Sequence, residues 1–94
     1  MKKVTINEID YELVKEYRDG FELDEVSSKL TDYFNNFDYV VGDWAYGKLR
    51  LKGFYESSSR NVKPINDIKI LDIYLNESCA KNCRYFVIKK IIWY

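Results

Sequence analysis

The sequence predicts an α+β domain with the element order β-β-α-β-β-α-β, in which two helices pack on one face of a mostly antiparallel sheet. Three patterns support this prediction: strand-like alternation near both ends of the chain, a helical stripe at residues 23–37, and a hairpin-like stretch in the middle. Because 94 residues suffice for one domain and not for two, we expect a single domain spanning residues 1–94.

The first two strands are predicted from apolar residues at a spacing of two. Lys3 to Ile9 alternates enough for a short strand. Tyr11 to Tyr17 alternates as well, with Lys15 as an interruption, and its aromatic residues favour a strand. Turn residues at Arg18 to Gly20 then end the second strand.

A helix is predicted at Leu23 to Phe37. Its large apolar residues recur at steps of three and four, which places them on one face of a helix. They are Leu23, Val26, Leu30, Tyr33, Phe34 and Phe37. We expect this face to pack against the sheet.

The stretch DYVVGDWAYGKLRLKGFY, residues 38–55, predicts a β-hairpin. Strand formers occupy residues 39–41, and residues 48–55 alternate almost strictly. Gly42-Asp43 and Gly47 supply turn chemistry between the two strands.

The last predicted elements are a helix and a strand. A polar loop at residues 56–61 precedes the helix, which starts near Asn66 or Asp67 because either residue can cap it. Arg84 to Tyr94 is rich in β-branched and aromatic residues and predicts a long closing strand.

Catalytic signatures are scarce in this chain. It contains no histidine, which removes catalysis that needs a histidine base and the usual histidine metal sites. Asp19, Asp38 and Asp43 are candidates for a carboxylate pair, but Asp is also common beside tight turns, where it bonds to backbone amides. We therefore predict that the protein is not an enzyme and has no catalytic residue, no metal site and no cofactor.

Two cysteines, Cys79 and Cys83, lie where the second helix should end. Their spacing differs from the Cys-x-x-Cys pattern of thioredoxin-like enzymes. We expect buried structural cysteines, with a disulfide or redox switch and a share in a metal site as the alternatives.

We expect a cytoplasmic protein. No apolar run approaches the roughly 20 residues needed to cross a bilayer, and the first residues lack the apolar core of a signal peptide. Small secreted domains also tend to carry more cysteines than the two found here.

Three stretches of the chain resemble a known family of proteins. They are YRDGF at residues 17–21, the hairpin string from Tyr39 to Tyr55, and Cys79 and Cys83 followed by YFVIKK at residues 85–90. In these stretches the chain resembles the YutD-like family of small, mainly Gram-positive bacterial proteins. The resemblance implies a cytoplasmic α+β domain, in agreement with the periodicity. It implies no particular catalytic or binding residue.

The hairpin also provides a candidate binding surface. If Leu49 and Leu51 face the helices, the cations between them lie on the opposite face together with aromatic rings. The candidate surface comprises Trp44, Tyr46, Lys48, Arg50, Lys52 and Phe54. It lies in the basic part of the chain, because residues 44–94 carry ten bases and four acids.

Two functions fit this surface. In the first, the protein is a non-enzymatic interaction or regulatory module, and Trp44 and Tyr46 at the hairpin tip dock a protein partner. The alternative is binding of single-stranded RNA or another nucleic acid, with cations along the phosphates and rings stacked on bases. Lys and Arg on a solvent-facing strand also occur without any binding role, because they protect sheet edges.

Overall fold

A computed structural model describes residues 2–78 and 83–91 of the chain. The order of strands and helices is the predicted one. The strands are β1 (Lys2–Ile6), β2 (Ile9–Tyr17), β3 (Tyr39–Ala45), β4 (Lys48–Phe54) and β5 (Tyr85–Lys90). The helices are α1 (Leu23–Lys29) and α2 (Leu71–Ser78), with short 3-10 helices at Asp32–Asn36 and Ile68–Ile70.

The five strands form one antiparallel sheet in the order β1-β2-β5-β3-β4. β5 lies in the middle and joins the β1–β2 hairpin to the β3–β4 hairpin. Tyr85, for example, is paired with Tyr17 of β2 on one side and with Asp43 of β3 on the other. The predicted α+β class and the antiparallel sheet are confirmed.

The two helices lie on opposite faces of the sheet. Val26 of α1 packs in one core cluster with Val40 of β3, whereas α2 packs on the other face, over a cluster that contains Val41. The prediction that both helices cover one face was therefore wrong. Consecutive apolar residues such as Val40 and Val41 point to opposite sides of a strand, so each face of the sheet needs its own cover.

The predicted helix at residues 23–37 is broken at Leu30. Leu30 and Thr31 have extended backbone conformations, and the 3-10 helix Asp32–Asn36 follows them. The side chain of Asn7 donates a hydrogen bond of 2.7 Å to the Leu30 carbonyl, which satisfies that group at the end of α1. Thr and Asn are also poor helix formers. Leu30 and Phe34 are nevertheless buried with α1, so the predicted apolar stripe is retained in part, whereas Leu23 and Tyr33 are exposed.

The hairpin turns at Tyr46-Gly47 and not at Gly42-Asp43. Tyr46 and Gly47 have φ values of 53° and 75°, the pair of positive angles typical of a two-residue hairpin turn. Gly42 lies inside β3, where a Cβ atom would come within 2.2 Å of the Phe86 ring. A glycine can therefore be required by close packing as well as by a turn.

The first strand, predicted from Lys3 to Ile9, ends at Ile6, because Asn7 and Glu8 have positive φ values and form the turn to β2. Asp67 precedes the 3-10 helix and α2, and its carboxylate accepts a hydrogen bond from the backbone N–H of Lys69, as expected for a cap. β5 covers residues 85–90 of the predicted strand, whose last residues, 92–94, lie outside the described residues. Cys83 is partly buried and disulfide-bonded, which for this residue agrees with the disulfide alternative and not with the expected buried structural cysteine. Cys79 lies outside the described residues.

Candidate interaction surface

The six residues of the predicted binding surface do not share one face. Trp44 points to the α1 side of the sheet and packs with that core cluster. Tyr46 lies at the hairpin turn. The side chains on the α2 side are those of Lys48, Arg50, Lys52 and Phe54. Since α2 covers part of this second side, the predicted open basic and aromatic face is only partly exposed.

Phe54 is a core residue. Its side chain is fully buried beneath α2, in a cluster with Val41 and Val87. The Phe54 and Tyr74 rings meet edge to face, with 5.5 Å between their centroids. The prediction that Phe54 presents its ring at the surface was wrong, because period-two alternation defines a face without saying whether that face is covered.

Lys52 lies beside the same aromatic rings. Its ammonium nitrogen is 5.2 Å from the centroid of Phe54 and 5.8 Å from that of Tyr74. These distances allow cation–π attraction to both rings. Lys52 therefore helps to cover the end of the α2 cluster while its charge remains at the edge of the sheet.

Arg50 neutralises a buried acid. Its guanidinium lies 2.5 Å from one carboxylate oxygen of Asp43, the residue opposite it on β3. The Asp43 side chain is buried, and its other oxygen has no hydrogen-bond partner among the described residues. This contact raises the pKa of Arg50 through its hydrogen bond and its charge. Burial raises the pKa of Tyr74, and the nearby charge of Asp43 raises it further.

Trp44 connects β3 to the segment before α1. Its indole N–H donates a hydrogen bond of 2.7 Å to the Gly20 carbonyl. The guanidinium of Arg84 lies 4.6 Å from the indole centroid and forms an ion pair with Glu22. Trp44 is partly buried by these contacts, so it stabilises the fold in addition to any role at a surface.

Tyr46 and Lys48 keep the exposure predicted for them. Tyr46 is fully exposed at the hairpin turn, and Lys48 is exposed at the start of β4. Both side chains are therefore accessible to a partner at this end of the hairpin.

A groove beside β4 was missed by the sequence reasoning. We call it the β4 groove, and its volume is about 200 Å³. It is lined by Tyr33, Phe34, Phe37, Leu51, Lys52, Gly53, Ile65 and Asn66. Tyr33 is 69% exposed and Ile65 is 70% exposed, although both are large hydrophobic residues. The helical stripe assigned Tyr33 to the core, and the break at Leu30 places it at the rim instead.

The acidic candidates are not brought together as a catalytic pair. Asp43 is paired with Arg50, and Asp38 accepts a hydrogen bond of 2.9 Å from the backbone N–H of Glu56. Asp19 has a positive φ of 54° in the segment between β2 and α1. Within residues 2–78 and 83–91, no cluster of three or more metal-ligating side chains is found. No helix in the same part of the chain is both long and apolar enough to cross a membrane.

Known proteins share this arrangement of strands and helices. The model of one family, described as "Putative antitoxin YutD-like", matches residues 5–89. The chain belongs to the YutD-like family. The curated relative "Putative antitoxin YutD" from Bacillus subtilis (strain 168) is 40% identical over 88 residues, which cover 94% of this chain and 97% of the relative.

A solved member of the YutD-like family has the same fold. The solution NMR structure of protein yutD from B. subtilis matches with a TM-score of 0.80 and 38% sequence identity. The match covers 97% of this chain and 83% of the chain in that structure. The resemblance recognised in residues 17–21, 39–55 and 85–90 is thus confirmed, and it extends to the YutD-like fold as a whole.

Proposed function

We propose that this protein is a non-enzymatic, cytoplasmic module that acts by binding a protein partner at the β4 groove. The observation that carries this proposal is the pair of exposed hydrophobic side chains, Tyr33 and Ile65, on the rim of the β4 groove. Large apolar residues that remain exposed around a concavity are typical of protein-binding sites. Aromatic side chains in such positions often contribute most of the binding energy.

The size of the groove favours a protein partner over a small molecule. Pockets for small ligands usually enclose about 300–1,000 Å³, whereas the β4 groove has about 200 Å³. Such a volume suits one or two apolar side chains that project from a larger binding surface. The adjacent Lys52 adds a positive charge at the border of the groove.

The name of the B. subtilis relative supports the same class of function. That protein is described as a putative antitoxin, and we extend this role to the present chain. Its partner would then be a protein that slows growth when it is made alone and is neutralised in the complex.

Binding of single-stranded nucleic acid is the less favoured alternative. It requires cations and rings on one open face, but Phe54 is buried and Trp44 lies on the other side of the sheet. Arg50 is already paired with Asp43. Salt-sensitive binding of short RNA that is lost in the Arg50→Glu/Lys52→Glu double variant would reverse this preference.

Capture of partners from the native cells tests the proposal. The double variant Tyr33→Ser/Ile65→Ser should lose a specific partner that the wild-type protein retains. Ile73→Ser is the control, because Ile73 is 57% exposed on α2 and does not line the groove.

Growth measurements then test the role of the partner. We expect the captured protein to slow growth when expressed alone, and co-expression of the wild-type chain to restore growth. The Tyr33→Ser/Ile65→Ser variant should fail to restore it, while Ile73→Ser succeeds. Equal partner capture and equal rescue by both variants would overturn the proposed function.

A further inference from the structure

The outer edge of β4 is a candidate site for strand pairing. β4 is the last strand of the sheet, and among residues 2–78 and 83–91 no other strand lies along its second side. The two-residue turn makes Ala45 and Lys48 a hydrogen-bonded pair, and such pairs then recur at every second position of the hairpin. The backbone N–H and C=O groups of Leu49 and Leu51 consequently point away from β3, toward the open side.

The chain itself already uses this edge just beyond the end of β4. The Tyr55 N–H donates to the Asn66 carbonyl at 2.7 Å, and the Tyr55 carbonyl accepts from the Ile68 N–H at 2.9 Å. These two bonds form an isolated parallel bridge between Tyr55 and Asp67. Tyr55 lies four and six residues after Leu51 and Leu49, so the backbone groups of all three residues point to the same side of the strand. The bridge to Asp67 shows that this side can pair with an extended segment.

We propose that the partner binds as an extended strand added to the outer edge of β4 over Lys48 to Lys52. This proposal rests on the proposed function and specifies the binding mode and the chemistry of the partner. Main-chain hydrogen bonds supply affinity in this mode of recognition, and the side chains on the two faces supply specificity.

The two faces of β4 select different side chains. On the α1 side, a docked strand would meet the β4 groove with Tyr33, Phe37 and Ile65, which favours apolar residues. On the α2 side it would meet the cations Lys48 and Lys52, with Arg50, which is paired with Asp43, between them. Neighbouring residues on adjacent strands point to the same face. The preferred segment therefore alternates apolar and acidic residues.

A second copy of this chain fits the edge poorly. Antiparallel pairing of two β4 strands about a two-fold axis would place Lys48, Arg50 and Lys52 opposite the same cations of the other copy. Like charges directly opposite each other destabilise a strand pair. The cations thus discourage self-association, as lysines on edge strands commonly do, and at the same time favour an acidic segment from another protein.

Amide hydrogen exchange with a defined probe tests this binding mode. The probe is an acetylated and amidated seven-residue peptide of alternating Glu and Val, beginning and ending with Glu. Its binding should slow exchange at Leu49 and Leu51 at least tenfold, because their N–H groups become hydrogen-bonded. The amides of Arg50 and Lys52 already bond to β3 and should change little. The same peptide with N-methyl groups on its edge-facing amides should not bind.

A charge reversal at Lys48 provides a second test that leaves the core intact. Lys48→Glu should weaken binding of the Glu/Val peptide at least fivefold and improve binding of a matched Lys/Val peptide. Lys2→Glu, on the edge strand β1 at the other end of the sheet, is the control and should leave both affinities unchanged.

The outcomes separate the binding mode from the proposed function. Peptide binding without slower exchange at Leu49 and Leu51 would overturn strand addition, as would failure of the peptide to bind at millimolar concentration. Capture of a partner through Tyr33 and Ile65 would then still support the proposed function. If the captured partner protects the amides of Leu49 and Leu51, strand addition is supported with the natural ligand.

Discussion

Asp43 and Arg50 face each other across the β3–β4 hairpin with their charged groups 2.5 Å apart, and only the arginine of the two reaches solvent. The Asp43 side chain is buried on the α2 side of the sheet, whereas the Arg50 side chain is 48% exposed. A buried carboxylate is costly unless an opposite charge compensates it. Arg50 therefore has a structural role that its position on a candidate binding strand does not reveal.

Removal of Arg50 should destabilise the protein more than removal of the exposed Lys48. We expect Arg50→Ala to lower the free energy of unfolding by roughly 2 kcal/mol, because it leaves a buried carboxylate without its cation. Lys48→Ala should change it by less than about 0.5 kcal/mol. Urea denaturation measures both values. The double variant Asp43→Ala/Arg50→Ala should be more stable than the sum of the single effects, and simple additivity would contradict this explanation.

Truncation should destabilise the protein strongly at Phe54 and very little at Tyr46. Phe54→Ala removes a fully buried ring beneath α2 and should cost about 3–5 kcal/mol of stability. Tyr46→Ala removes a fully exposed ring and should stay within about 0.5 kcal/mol. Thermal denaturation followed by circular dichroism compares the two variants. Similar losses in both would contradict the burial described for Phe54.

Asp67 should make stability depend on pH in the acid range. Hydrogen bonds from the Ser57 hydroxyl and the Lys69 N–H hold the pKa of Asp67 below its ordinary value. The stabilisation is fully present above the unfolded-state pKa of about 3.9 and is lost as pH falls through the lower folded-state pKa. Asp67→Asn should therefore be less stable than the wild type at pH 7, and the difference should shrink below about pH 4.

Melting temperatures measured between neutral and acidic pH test this dependence. Ser57→Ala weakens the same carboxylate cap, so its deficit relative to the wild type should also narrow in acid. A difference that stays constant over the whole range would show that the charge of Asp67 does not contribute.

Tyr11→Phe should stabilise the protein or leave its stability unchanged. Tyr11 is fully buried in the α1-side core, and its hydroxyl has no hydrogen-bond partner among the described residues. Burial also raises the pKa of this hydroxyl. Phe retains the ring and removes an unsatisfied polar group, whose burial typically costs about 1–3 kcal/mol. A clearly lower melting temperature for Tyr11→Phe would contradict this prediction.

The order of strands and helices could be predicted from the sequence because local periodicity reports local structure. The side of the sheet that each helix covers could not. Val40-Val41 and Phe86-Val87 are consecutive apolar residues that contribute to both core clusters, and a continuous apolar run gives no face preference. Covering helices on both faces is the arrangement that such strands require.

Only part of the candidate site could be predicted, again because a local pattern does not show what covers a face of the sheet. Alternation placed the three cations of β4 on one face, but it could not reveal that α2 buries Phe54. The β4 groove combines Tyr33, Leu51 and Ile65, which are far apart in sequence. These residues come together only in the tertiary structure, and no local sequence pattern predicts that they are neighbours.

The central position of β5 has a consequence for synthesis of the protein. Residues 85–90 are synthesised after both hairpins. The edges of β2 and β3 that pair with β5 therefore remain unpaired until β5 has left the ribosome. A chain that stops before residue 85 would keep those edges exposed to aggregation and proteolysis. The sheet is therefore complete only after translation of the strand that joins its two halves.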